Sequence, residues 1–229
     1  MKNSGKIIAI GDVHGEIHKL KNLFEKLSFT KNDTIIFLGD YIDRGEDSKG
    51  VIDFILSLKD KCNLVTLKGN HEMFAMDGLK FTEGRLGLSQ MFHSWMNNGG
   101  VSCLRSYNKY GLKEDNFGET IQQMFEIHGD FFNDLKLTYE TDNHIFVHGH
   151  LAHEQDVEDQ EEWQCIWGRY NDIYPHKSGK TVVCGHTVQR DGVTNDGFRI
   201  CIDTGSFLPY GYITAMIIDG AKEYFIDSR

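Results

Sequence analysis

Five short apolar runs in this chain end in the same way. They read IAIGDVHG, IFLGDYIDRG, VTLKGNHE, IFVHGH and VVCGHT, and a sixth, CIDTG, is a looser relative. Each run stops at a turn of small residues that carries Asp, Asn or His. This recurrence constrains the fold, because in open α/β sheets the loops at the carboxyl ends of strands converge, and ligands bind there. The turns alone need glycine, which accepts φ > 0 and lets backbone approach a central object closely. They do not need Asp40, Asp43 and Arg44 together.

Between those endings the apolar pattern switches period. Residues 7–10 read as a strand, and Ile17, Leu20, Phe24 and Leu27 recur at helical spacing. A strand over 34–38, a helix carrying Val51, Ile52, Ile55, Leu56 and Leu58, and a strand over 64–67 make 7–68 a β-α-β-α-β unit with a parallel sheet. From about 73 to 130 the reading is mostly helical and punctuated by glycine. There Leu88, Met91, Phe92 and Trp95 share a face that reads as core packing rather than substrate wall, and Asn97-Asn98-Gly99-Gly100 is expected to stop the helix. Strands return at 135–139, 144–147, 181–184, 200–203, 212–218 and 223–226. Two facing sheets with helices outside fit this order better than one long sheet. The 229 residues are read as a single domain, 1–229, with a mostly helical insertion around 73–130.

Composition narrows the classes. Hydrophobic residues at 40% and charged residues at 25% are those of a globular protein, and apolar runs of four or five residues fall far short of the ~18 that span a bilayer. No membrane partner is expected. A net charge of −10 argues against nucleic acid, whose phosphates are bound by Lys and Arg. The cysteines, Cys62, Cys103, Cys165, Cys184 and Cys201, form no C-x-x-C pair, which suggests reduced thiols and a cytoplasmic setting.

The donors gathered at the strand ends are Asp12, His14, Asp40, Asn70, His148 and His186, with no thiolate among them. Oxygen and imidazole donors suit borderline divalent metals such as Mn²⁺, Fe²⁺ or Zn²⁺. Six are too many for one ion that keeps open positions, and they suit two ions sharing a carboxylate. Two dications set against Asp12 and Asp40 leave a net positive field, because the other donors are neutral. Such a field attracts a phosphate dianion to an acidic protein and lowers the pKa of a bridging water towards about 7.

Taken in order, IGDVHG, LGDYIDRG and LKGNHE resemble the three core motifs of the phosphoprotein phosphatases, and FVHG, WGR, VCGHT and CIDTG extend the likeness along nearly the whole chain. The compact bacterial and bacteriophage branch, represented by phage lambda protein phosphatase, is the most similar, since it too has a tryptophan-containing helix ending in Asn-Gly-Gly. The resemblance implies an α/β, calcineurin-like metallophosphoesterase fold with two facing mixed β-sheets flanked by helices. It implies two divalent ions, with Mn²⁺ the first expectation. Asp12, His14 and Asp40 would hold the first, and Asp40, Asn70, His148 and His186 would surround the second, with His186 also expected near the first pair. His71 would protonate the leaving alkoxide, with Asp43 orienting it, while Arg44 and Arg169 bind phosphoryl oxygens beside Asn70. The implied reaction is hydrolysis of phosphoserine or phosphothreonine, with phosphotyrosine also open, in a protein or peptide. Hydroxide held between the metals would attack directly, with no phosphoenzyme.

Some positions carry competing readings. His150 and His153 follow His148, which is preferred as the ligand because it lies directly at the strand end. His18, His93, His128, His144 and His176 are read as structural, and Asp203 as either a partner of the ligands or a turn residue. EQDVEDQEE, 154–162, reads as a solvated loop, or else as an acidic flank that favours basic phosphopeptides. Symmetric hydrolysis of diadenosine tetraphosphate is the alternative within the fold. Such relatives typically replace the aspartate of the second motif and carry GNHD, so Asp43 and Glu72 favour the monoesterase. A metal-binding scaffold without turnover predicts loss of His71, Asp43, Arg44 and Arg169, yet all are present.

Overall fold

A computed structural model of the chain describes residues 5–82, 84, 89–169 and 174–229. Leu88, named above on a helical face, lies outside them. The elements in order are β1 (Ile7–Ile10), α1 (Ile17–Lys26), β2 (Thr34–Phe37), α2 (Ser48–Leu56), β3 (Asn63–Thr66), α3 (Asn70–Thr82), α4 (Ser89–Trp95), α5 (Val101–Tyr107), α6 (Phe117–Asn133), β4 (Thr138–Glu140), β5 (His144–Val147), α7 (Glu162–Trp167), β6 (Thr181–Cys184), β7 (Thr194–Asn195), β8 (Arg199–Cys201), β9 (Thr214–Asp219) and β10 (Lys222–Asp227).

The strands form two mixed sheets, ordered β10-β9-β1-β2-β3 and β4-β5-β6-β8-β7. In the first, β1, β2 and β3 run parallel and β9 is antiparallel to β1. In the second, β5, β6 and β8 run parallel while β4 and β7 are antiparallel edges.

Side chains alternate faces along a strand, so a strand covered on both faces must be apolar throughout. Here the alternation divides the strands between separate cores. Ala9, Ile36, Leu38, Val65, Phe146, Val183, Ile200 and Met216 fill the space between the sheets. Ile8, Ile10, Ile35, Phe37 and Ile217 face the helices packed outside the first sheet. Ile145, Val147, Val182 and Cys184 face α7 through Cys165 and Ile166. The two sheets are thereby fixed to each other with their loops at one edge. Among the described residues no helix is long and apolar enough to cross a membrane, and all five cysteines are buried and free.

One local expectation needs correction and one gains detail. The strand read at 135–139 begins only at Thr138. Before it, the Lys136 backbone pairs with Leu67, its N–H donating to the Thr66 carbonyl (3.0 Å) and its carbonyl accepting from Lys68 (2.7 Å), so this segment ties the edge of one sheet to the start of the other. The Asn-Asn-Gly-Gly stretch ends α4 as expected, and a second helix follows it directly. Gly99 turns at φ 109°, but Gly100 returns to helical backbone and α5 starts at Val101. The kink brings Gly99 against the Arg44 backbone and Gly100 under the Trp95 indole. Trp95, fully buried, also lies over Gly78, where an added Cβ would stand 2.6 Å from the ring.

Gly78→Ala must displace that rigid indole and is expected to destabilise the protein by about 1–3 kcal/mol. Gly129→Ala, on α6 with nothing within 4 Å of the added Cβ, is expected to be neutral or to stabilise by up to about 1 kcal/mol. Urea unfolding of both variants checks the pair, and equal effects would contradict the packing described.

Candidate metal and phosphoesterase site

The strand-end loops do converge. Among the described residues, the non-glycine positions with positive φ are His14 (49°), Asp40 (53°), Asp43 (73°), Arg44 (67°) and His186 (63°). All five are residues that the sequence nominated for the site. Left-handed backbone at such residues costs on the order of 1–3 kcal/mol each and persists only where the surroundings over-determine it.

The over-determination is visible in the hydrogen bonds. Asp40 O accepts from Val13 N (3.0 Å) and His14 N (2.8 Å), Gly15 N donates to Tyr41 O (2.8 Å), and Gly45 N donates to His14 O (2.9 Å), so the first two loops interlock. Glu72, wholly buried, completes the clamp. Its carboxylate accepts from the backbone N–H groups of Asp40 (2.8 Å), Tyr41 (2.9 Å) and Gly69 (3.0 Å), joining the second and third loops. Burial, and then the neighbouring Asp40, push the Glu72 carboxyl up to about 8. The sequence reading used Glu72 only to separate two substrate classes and missed this role, although its place in GNHE was the available signal.

Asp40 sits at the middle of the donor set. His14 Nδ1 is 3.1 Å from the Ile42 carbonyl and therefore carries the proton there, leaving a bare Nε2 at 3.5 Å from Asp40 Oδ2. His148 Nδ1 likewise donates to the Leu38 carbonyl (3.0 Å), leaving its Nε2 at 3.4 Å from Asp40 Oδ1. Each carboxylate oxygen thus faces the lone pair of a different imidazole. Burial lowers the pKa of His14, His148 and His186, the last to about 4, so protonation does not resolve the opposition. Cations do.

Two donor groups follow from this geometry: His14, Asp40 and His71, and Asp40, His148 and His186. Asn70, at the start of α3, places Oδ1 3.1 Å from His148 Nε2 and 2.9 Å from His186 Nδ1. His186 Nε2 is buried without a hydrogen-bond partner. Asp12 binds the His186 backbone N–H (3.2 and 3.1 Å), and its carboxyl is pushed well up by burial and then by Asp203 and Asp40. These donors fit two divalent ions that share Asp40.

Beside them His71 Nδ1 lies 2.5 Å from Asp43 Oδ2. Burial lowers the pKa of this imidazole, yet Asp40 and the Asp43 hydrogen bond together raise it above the ordinary value. Both Asp43 oxygens also accept from Trp95 Nε1 at 3.0 Å. Trp95 is therefore a core residue and a support of the site at once, which the choice between packing and substrate wall did not foresee. The Arg44 guanidinium lies with Nη1 2.8 Å from His14 Nε2 and Cζ 4.0 Å from the centre of the Phe207 ring. Arg169 is exposed, and its charge helps to lower the pKa of His186.

The remaining histidines lie in separate surroundings. His18 pairs with Glu46 at 3.2 Å on the surface, His128 bridges Tyr107 and Asp53, His144 meets Glu223, and His176 contacts Ser178 and the Gln155 carbonyl. His150 belongs to neither donor group. Asp203 closes its own turn by accepting from Gly205 N (2.9 Å), and its carboxyl is raised to about 6 by burial and then by Asp40.

Residues 5–190 match the family model of the calcineurin-like phosphoesterases. The chain belongs to that family. Calcineurin-like phosphoesterases are dinuclear metal-dependent hydrolases, in keeping with the two donor groups around Asp40. Three solved structures show how widely the fold is shared. A protein assigned as a diadenosine tetraphosphatase is 20% identical, with a TM-score of 0.65, covering 99% of this chain and 95% of the other. A Saccharomyces cerevisiae serine/threonine phosphatase with similarity to human PP5 is 17% identical, with a TM-score of 0.64 and coverage of 99% and 80%. A cold-active protein-tyrosine phosphatase from a psychrophilic Shewanella is 16% identical, with a TM-score of 0.62 and coverage of 98% and 80%. At these identities the likeness extends to the fold and leaves the substrate open.

Glu72→Ala strips the acceptor from three buried N–H groups and loosens Asp40. Supports of this kind typically carry about 10–100-fold of metal affinity. Calorimetric titration of the metal-free protein with Mn²⁺ should show that loss, and unchanged affinity would remove Glu72 from the site.

Proposed function

We propose that this protein is a metal-dependent phosphomonoesterase that removes phosphate from serine and threonine, and also from tyrosine, in proteins or peptides. The observation that carries the proposal is the His71–Asp43–Trp95 chain. An alkoxide is a poor leaving group and needs a proton as it departs, whereas symmetric cleavage of a dinucleotide polyphosphate expels a nucleoside diphosphate, which leaves without one. Asp43 holds His71 in orientation and Trp95 holds Asp43, and the Asp43 hydrogen bond favours the protonated ring. That support suits monoesters of poor leaving groups.

Asp12, His14, Asp40, Asn70, His148 and His186 are the proposed metal ligands, of which His14, Asp40, His148 and His186 fall in the two donor groups, and Mn²⁺ is the proposed metal, with Fe²⁺ or Zn²⁺ fitting the same donors. When bound, the ions supply Lewis acidity towards the ester and lower the pKa of water. Arg44 presents a planar fork to two phosphoryl oxygens, with Arg169 and Asn70 as further phosphate contacts. His71 delivers its proton to the leaving oxygen from Nε2, since Nδ1 is engaged by Asp43. The free, buried thiols agree with a reducing cytoplasmic setting.

The diadenosine tetraphosphatase likeness makes the dinucleotide the second reading. With Mn²⁺ present, a phosphoserine peptide is expected to turn over and diadenosine tetraphosphate to be a poor substrate; the reverse order would replace the proposal. His71→Asn should cut turnover of an alkyl phosphate by about 10²–10⁴, and much less for an aryl phosphate with a good leaving group. An unchanged rate on the alkyl ester would remove His71 from its role.

The acidic stretch bears on substrate choice. Its acids are exposed, Asp156 pairs with Lys177 at 2.6 Å and Glu162 with Lys68 at 2.8 Å, and it leads into α7. Trp167 on that helix reaches within 6.2 Å of the His186 ring, and Trp163, 58% exposed, stacks on Trp167. A basic peptide lying along this helix would meet both charge and aromatic surface. Neutralising Glu158, Asp159 and Glu161 together should weaken turnover of basic phosphopeptides more than that of a small aryl phosphate, and equal effects would refute the reading.

A further inference from the structure

Phe207 lies outside every strand-end motif, on the loop between β8 and β9, yet its ring touches two residues of the proposed site. Its face lies 4.0 Å from Arg44 Cζ, and it meets the His14 ring edge-on at 5.1 Å and 86°. The loop that presents it is well anchored. Buried Ser206 donates to the Val13 carbonyl at 3.1 Å, Lys19 Nζ donates to the Ser206 carbonyl, and Leu208 N closes a turn onto Gly205 O at 2.8 Å, with Gly205 at φ 65°. These contacts tie the loop to the first strand-end loop and the first helix, so Phe207 is a fixed surface rather than a mobile flap.

Arg44 needs such a surface. Its backbone is left-handed and Gly99 packs against it, so no regular neighbour along a helix or strand supports the side chain. A long guanidinium side chain loses much rotamer freedom when it must bind in one orientation. Stacking on an aromatic face restricts the guanidinium without occupying its in-plane N–H groups; Nη1 lies 2.8 Å from His14 Nε2, and the other nitrogens remain to bind oxygen. A phenyl ring also has no polar atom to compete for a phosphate. We propose that Phe207 is a positioning residue that holds the Arg44 guanidinium in the plane from which it binds the phosphoryl group of the substrate. The proposal rests on the reading of Arg44 as a phosphate ligand.

The test is calorimetric binding of tungstate, a phosphate analogue, to Mn²⁺-loaded protein, with metal content measured for every variant. Arg44→Ala should weaken binding by at least about tenfold, as expected when a charged hydrogen-bonding partner is lost. Phe207→Ala should weaken it by about three- to tenfold. Phe207→Leu, which keeps bulk without a π face, should behave like the alanine variant, and Phe207→Tyr should restore binding. The double variant with Arg44→Ala should bind no worse than Arg44→Ala alone. Four results would overturn the proposal: wild-type affinity in Phe207→Ala, full affinity in Phe207→Leu, additive losses in the double variant, or losses that follow reduced metal content. If Arg44→Ala itself binds tungstate normally, the phosphate role of Arg44 fails first, which separates that failure from an error about Phe207.

Discussion

Everything in the site depends on one buried carboxylate meeting two imidazole lone pairs. Asp40 directs one oxygen at His14 and the other at His148, and both rings have already spent their protons on backbone carbonyls, those of Ile42 and Leu38. At His14 the Arg44 guanidinium meets the lone pair, with Nη1 2.8 Å away, but His148 Nε2 and the Asp40 oxygen oppose each other, which is expensive in a desolvated pocket. The fold nevertheless holds these groups together, and it holds five site residues in left-handed backbone while doing so. Interlocked turns and the Glu72 carboxylate supply the compensation.

The two sheets divide the work. The first delivers Asp12, Asp40 and Asn70 from the ends of its parallel strands, and the second delivers His148 and His186. Neither sheet alone assembles the donors, so the apolar layer between them, with Ala9, Ile36, Leu38, Phe146 and Val183, sets the geometry of the site as well as stability. Packing and electrostatics are joined again at Trp95, which fills the helical core over Gly78 and Gly100 and also steadies Asp43. An acidic protein can attract a phosphate ester on these terms, because the field that matters is set by a few groups in a cleft and not by the net charge of −10.

Much of this was legible in the sequence, for a physical reason. Alternating apolar residues that stop at Gly-Asp, Gly-Asn or Gly-His mark both a strand and what it delivers, so the paired sheets could be read locally, and with them four side chains that the fold gathers, His14, Asp40, His148 and His186. What escaped was set by contacts between distant parts of the chain. Trp95 meets Asp43 across 52 residues, and the bridge from Lys136 to Leu67 that delays β4 has no periodic trace. The Asn-Asn-Gly-Gly stretch carries the composition of a helix stop and ends α4, but nothing in it foretells that the chain resumes as α5 at once, packed against Arg44 and Trp95. Phe207 sits in the loop after CIDTG, where the motif pattern is loosest.

Crystals grown with Mn²⁺ and measured at the manganese absorption edge test the shared carboxylate most directly. Two anomalous peaks about 3.5–4 Å apart, the usual spacing of such pairs, with the Asp40 carboxylate contacting both, are expected. A single peak, or two peaks with Asp40 bound to only one of them, would contradict the account.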